Sequence, residues 1–119
     1  DLNAHDSDPE EYWGHAPEEV QNILGPMIKP FYDGNDELIR DEANRSTALA
    51  GMTLMLAARE LGYDSCPMIG FDKKAVSKLV NLPEGMMLGF MIPVGEQAKA
   101  AWARGPRLSD KTVVTYDRF

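Results

Sequence analysis

The sequence is poor in the residues that ordinarily carry side-chain chemistry. It holds one cysteine, Cys66, and two histidines, His5 and His15, among 119 residues. A single thiol excludes an intrachain disulfide framework and makes a reducing compartment, the cytoplasm, the expectation. Positive charge is in the minority: 12 Lys and Arg stand against 19 Asp and Glu, a net −7. That balance argues against a nucleic-acid partner and against electrostatic adherence to a membrane. Long apolar runs are missing too. The longest uncharged stretch near the C-terminus, 85–95, is about half of the roughly 20 residues a spanning helix needs, and it contains Pro93. No Gly-x-Gly-x-x-Gly, P-loop or His-Glu-x-x-His pattern occurs, so dinucleotide-fold, phosphate-transfer and zinc-hydrolase chemistry have no support. The chain opens at Asp1 without a basic and then apolar leader, so the expectation is a processed or truncated piece rather than a signal-bearing precursor.

What is present reads as one globular domain over 1–119, because 44% hydrophobic and 26% charged residues match ordinary globular usage. The first twenty residues carry seven acids and no Lys or Arg. His5, Asp6, Asp8, Glu11 and His15 cluster there. Their spacing matches no strong metal motif, and a solvated acidic segment explains the same residues. Residues 1–16 read as a surface loop anchored by Tyr12 and Trp13. Pro17 at a first helical position, with Glu18 and Glu19 after it, opens a short helix whose apolar face is Val20, Ile23, Leu24 and Met27. It is expected to end near Pro30, leaving Phe31 and Tyr32 in a turn.

From about Asn35 to Leu61 there is no proline, and Asn35 or Asp33 can cap what becomes the longest helix. Ala48 to Ala58 carries no charge on any side, the pattern of a helix covered all round, which a domain of this size cannot supply alone. Gly62 stops the helix, Asp72 caps a short one, and 86–94 reads as a strand buried on both faces. The tail 112–116 is rich in β-formers. Cys66, far in sequence from either histidine, reads as a buried structural thiol.

The loop after the apolar helix is Asp64-Ser65-Cys66-Pro67-Met68-Ile69-Gly70-Phe71-Asp72. The run RDEANRSTALAGMTLMLAARELGYDSCPMIGFD, 40–72, resembles the C-terminal half of the FMN-dependent nitroreductase family, and VGEQAKAAWARGPRLSD resembles that family's closing segment. The resemblance implies an α+β homodimer, the long central helix packed on a mixed sheet and against its symmetry mate around Ala48 to Ala58, with FMN at the subunit interface. It implies that Pro67, Met68, Ile69 and Gly70 lie along the flavin, with the N–H groups of Ile69 and Gly70 facing N5 and O4. It also implies that Arg104 and Arg107 hold the FMN phosphate, Arg107 being the better match because Gly105 and Pro106 stand where relatives carry basic residues. Residues 1–34 would hold the acidic segment and the lid, with Trp13, Phe31 and Tyr32 as stacking rings, and 35–119 the core.

The activity implied is hydride transfer from NAD(P)H through FMN to a small-molecule acceptor, a nitroaromatic or quinone, with no side chain required as acid or base. Family members are larger, so a missing N-terminal half or companion chain is expected. Two alternatives stay open: a non-catalytic helical dimerisation module without flavin, and the same flavin fold running a different reaction.

Overall fold

A computed structural model describes residues 1–118. A 3₁₀ turn, Ala4–Asp6, leads into α1 (Pro9–Trp13), α2 (Glu18–Tyr32) and α3 (Asp36–Glu60). The rest comprises β1 (Asp64–Ser65), α4 (Lys73–Leu79), β2 (Val94–Gly95) and α5 (Asp110–Val113). The N-terminal sixteen residues are therefore more ordered than a surface loop. Asp8 caps α1 by accepting from the Glu10 N–H at 3.0 Å, and Tyr12 donates to the Ala4 carbonyl at 2.8 Å. This unit lies across α2, where Pro9 packs within 3.2 Å of the position a Gly25 side chain would take. An ion pair of 3.2 Å between Lys29 and Asp6 adds an exposed tie.

Helix α2 does not end near Pro30. It continues to Tyr32 with Pro26 and Pro30 inside it, and Pro17 is its N-cap rather than its first residue. A left-handed Gly34, φ 73°, turns the chain into α3. Asn35 caps α3 by accepting from the Leu38 N–H at 3.0 Å. At 25 residues it runs roughly 38 Å. Its end is a Schellman closure: the Gly62 N–H donates to the Arg59 carbonyl at 3.1 Å and the Tyr63 N–H to the Ala58 carbonyl at 2.9 Å, with Gly62 at φ 84°.

The expected strand over 86–94 is largely absent as regular structure, and what replaces it is shorter and less covered. β1 and β2 pair antiparallel, Asp64 with Gly95 and Ser65 with Val94. The same register continues past the formal strands. Cys66 donates to the Pro93 carbonyl at 3.3 Å, and Met68 and Met91 exchange two bonds of 2.9 Å. The result is a five-residue ladder, 64–68 against 91–95, broken in its bookkeeping because Pro93 has no N–H to return to Cys66. Of the mixed sheet expected, the described residues hold this one antiparallel pair.

Ladder alternation sends Ile92 and the neighbouring Phe90 inward against α3, where a side chain at Gly51 would overlap the Phe90 ring and meet Ile92 Cδ1 at 3.3 Å. Met91 faces outward. The expectation of burial on both faces fails because no described residue covers the outer side. Cys66 is exposed rather than buried for the same reason. The tail is α5 rather than strand: without a neighbouring strand its β-propensity has nothing to pair with, and a single local turn forms instead, with the Ser109 and Thr112 hydroxyls 3.0 Å apart.

Among the described residues Ala58 is the one buried hydrophobic residue, while Leu49 is 72% and Leu56 60% exposed. The all-round apolar stretch of α3 is thus covered on one side by 89–92 and open on the other. No described helix is long and apolar enough to cross a membrane.

Candidate functional site

Two places concentrate the residues singled out in the sequence. The first is the loop 66–70, which the ladder holds at one end and Asp72 at the other. Asp72 Oδ1 accepts from the Lys74 and Ala75 N–H groups at 2.9 and 3.1 Å, so α4 starts at a fixed point just beyond the loop. Pro67 and Met68 belong to the ladder. Ile69 and Gly70 come after its last bond, and their N–H groups take part in no hydrogen bond among the described residues. Both residues are exposed.

Gly70 has an ordinary negative-side φ and nothing within 4 Å of where a Cβ would be. Turn chemistry therefore does not explain this glycine, and none of the described residues needs the space. Two adjacent free donors beside an uncrowded glycine form a surface that a planar acceptor edge could approach closely.

The second place is a cavity of about 470 Å³ between the N-terminal segment, α2 and the first half of α3. Tyr12, Trp13, Tyr32, Ile39, Glu42 and Thr47 are among the residues that line it, a volume within the range of small-molecule sites. It gathers two of the three expected stacking rings. Phe31 is not among them: it stands exposed, with its ring edge-on to Tyr32 at 5.0 Å. The Trp13 Nε1 is shut off from solvent and has no hydrogen-bond partner among the described residues. It is shut off from a ligand in the cavity as well, so the cavity offers rings and apolar walls rather than this donor. The Glu42 carboxylate on its rim is occupied by Arg45 at 3.1 Å.

The sequence carries a signal for this cavity. Ile39, Ala43 and Ser46 recur at helical spacing on α3, upstream of the apolar run that drew attention.

No described hydrogen bond or ion pair joins the arginines to the loop. Arg104 and Arg107 stand exposed in the segment 96–109, without an ion pair among the described residues, and no described hydrogen bond ties that segment to 66–70. Trp102 beside them is 95% exposed. Of the acidic metal candidates, the His5 side chain lies outside the described residues. Among the described ones, no group of three or more His, Cys, Asp or Glu could hold a metal ion.

Comparison with known proteins agrees with this architecture. The protein DrgA of Synechocystis sp. is 50% identical over 101 residues, spanning 85% of this chain and 48% of that protein. MhqN of Bacillus subtilis, whose name is that of an NAD(P)H nitroreductase, is 40% identical over 100 residues, 83% of this chain and 48% of that protein. A crystal structure from Staphylococcus epidermidis, assigned by name as an NAD(P)H:FMN oxidoreductase, superposes with a TM-score of 0.85 at 27% identity over 98% of this chain and 57% of that one. The chain thus spans about half the length of the curated relatives it matches. The family model described as the nitroreductase family matches residues 20–96, and the chain belongs to that family.

Proposed function

We propose that this chain is the C-terminal part of an FMN-dependent NAD(P)H oxidoreductase of nitroreductase type. The observation that carries the reading is the pair of unengaged N–H groups at Ile69 and Gly70, exposed at the end of a ladder that fixes Met68. The names of the relatives support it at the level of class. Bound there, FMN would supply a two-electron centre between a nicotinamide donor and a small acceptor such as a nitroaromatic or quinone.

The chain's own residues have passive but exact-fitting tasks. The Ile69 and Gly70 N–H groups donate to the acceptor atoms along the flavin edge, and Gly70 leaves room for that approach. The Met68 pair with Met91 and the Cys66 N–H to the Pro93 carbonyl hold the start of the loop, which Pro67 stiffens. The guanidinium of Arg107, with Arg104 as a second cation, is free to take a phosphate in charge-assisted bonds. Trp13 and Tyr32 form one wall of an aromatic cavity on the lid side, with Phe31 beside them. The uncovered apolar face of α3 around Ala48 to Ala58 is the surface for a second copy, and the remaining half of the protein completes the groove.

Association alone, without flavin, is the second reading, and the exposure of Leu49 and Leu56 favours it equally. Colour and titration separate the two. Quenching of FMN fluorescence by the folded chain in its native assembly should saturate at micromolar protein. Ile69→Pro, which removes one donor, should weaken it. Arg107→Ala should cost roughly 1.5–3 kcal/mol of FMN affinity, the scale of a hydrogen bond to a charged group. A folded dimer that neither carries nor quenches FMN marks this chain as an incomplete half, and the association module becomes the preferred reading only if adding the N-terminal half also fails to give FMN binding.

A further inference from the structure

The segment ahead of α2 closes the aromatic cavity, and its two ends are held unequally. At the α2 end the fastening is broad. Pro9 packs against Gly25, and the Gln21 side-chain amide donates to the Ala16 carbonyl at 2.7 Å. At the other end the described residues hold one backbone bond, from the Leu2 N–H to the Gly85 carbonyl at 2.8 Å. Gly85 is the third residue of the turn 83–86, which the Met86 N–H closes on the Pro83 carbonyl at 3.3 Å. Its φ of 76° is what that position of a type II turn requires. The Asn3 carboxamide lies against it, so close that a side chain at 85 would overlap the amide nitrogen. Glycine is thus needed here twice, for the turn and for the approach of residue 3.

Leu2, Ala4, Tyr12 and Trp13 of this segment line the cavity of about 470 Å³, so one of its walls exists only while the contact at Gly85 is closed. Opening that contact breaks a single backbone bond, a local event far less costly than global unfolding. The lining also selects an occupant. It carries three aromatic rings and no described Lys or Arg. Its two carboxylates are engaged: Asp1 accepts from the Asn3 N–H at 2.8 Å, and Glu42 pairs with Arg45 at 3.1 Å. The Thr47 hydroxyl donates to the Ala43 carbonyl of its own helix at 2.7 Å. An anion would meet like charge there without a counter-ion, whereas a flat uncharged ring matches both the volume and the walls.

We propose that residues 1–13 form a strap, latched at Gly85, that closes this cavity over one small uncharged aromatic molecule. Unlatching admits and releases the molecule, and the molecule in turn holds the latch shut, because the complete wall exists only in the closed form.

The chain has two tryptophans, and Trp102 is 95% exposed, so Trp102→Phe leaves Trp13 as the reporter within the cavity wall. Nitrobenzene and 4-nitrobenzoate both quench indole emission and differ in charge. Nitrobenzene should quench Trp13 saturably, and 4-nitrobenzoate should not saturate over the same range. At ten times its dissociation constant, nitrobenzene should slow hydrogen exchange of the Leu2 amide about tenfold, as a ligand of the closed form must. Gly85→Ala should weaken binding by about tenfold or more, the loss that follows when the closed form falls to a tenth of the population. Gly85→Ala/Asn3→Gly removes the overlap and should recover most of that affinity, which relief of turn strain or loss of the fold would not. Linear quenching with a shortened lifetime means collision alone and overturns the site. Equal binding of 4-nitrobenzoate overturns the assigned ligand class. Wild-type affinity in Gly85→Ala, or no recovery in the double variant, overturns the latch. None of these readouts involves FMN, so their failure leaves the oxidoreductase reading untouched, and the reverse holds.

Discussion

At the scale of single residues, Gly51 sets how close the ladder sits to α3. Alanine is the better helix former by about 1 kcal/mol, so propensity alone would favour Gly51→Ala. Here the added methyl group would overlap the Phe90 ring, and overpacking typically costs about 1–3 kcal/mol. Gly51→Ala should therefore lower the thermal midpoint, and adding Phe90→Leu should restore part of the loss, read in a double-mutant cycle. Trp13 makes the opposite case. Its buried Nε1 lacks a partner among the described residues, and an orphaned donor costs about 1–3 kcal/mol. Trp13→Phe should then be neutral or stabilising in chemical denaturation, where an ordinary buried tryptophan would be costly to replace. The caps at Asn35 and Asp72 were legible in the sequence because they act over three residues. The exposure of Cys66 was not, because it depends on what covers the ladder, and that lies outside any local pattern.

Among elements, the long helix and its stop were readable from composition, cap and Gly62, since each is a local signal. Helix α2 runs past the end its two prolines suggest, since prolines ordinarily stop a helix. Pro30 sits four residues after Pro26, so the carbonyls of Asn22 and Pro26 both lose their helical donors, yet packing of α1 against Gly25 holds the segment in register. Pro30→Ala should restore one of those bonds and raise stability, by up to about 3 kcal/mol, as measured by the denaturant midpoint. The strand over 86–94 was read from alternation, which is real: Phe90 and Ile92 do point one way. What alternation cannot reveal is how many neighbours the strand has. The candidate loop 67–70 was found through resemblance, and the free donors at 69 and 70 became visible only with the ladder's register.

The whole molecule is too open for its length. Its radius of gyration is 19.3 Å, against about 13.5 Å for a compact chain of this size. Its accessible surface is 10496 Å², against about 6,400 Å² for a compact monomer of 13.2 kDa. The excess of about 4,000 Å² on one chain is several times one partner's share of a standard interface, in keeping with a chain that spans about half the length of its relatives. Stability should therefore depend on concentration: the thermal midpoint should fall on dilution, and sedimentation should show species larger than 13.2 kDa at micromolar protein. A midpoint independent of concentration, with a monomer in sedimentation, would remove the case for a partner on α3.

Pro67 also decides where such a partner cannot attach. Its position alternates with the bonded pairs at 66 and 68, so its backbone nitrogen faces away from β2, along the ribbon's outer edge. An incoming strand seeking to extend the sheet there would meet an acceptor row with its central donor missing. Side-by-side growth into a continuous sheet, the usual hazard of an exposed edge, is discouraged on that flank. That leaves the apolar face of α3, rather than this edge, as the surface a partner could cover.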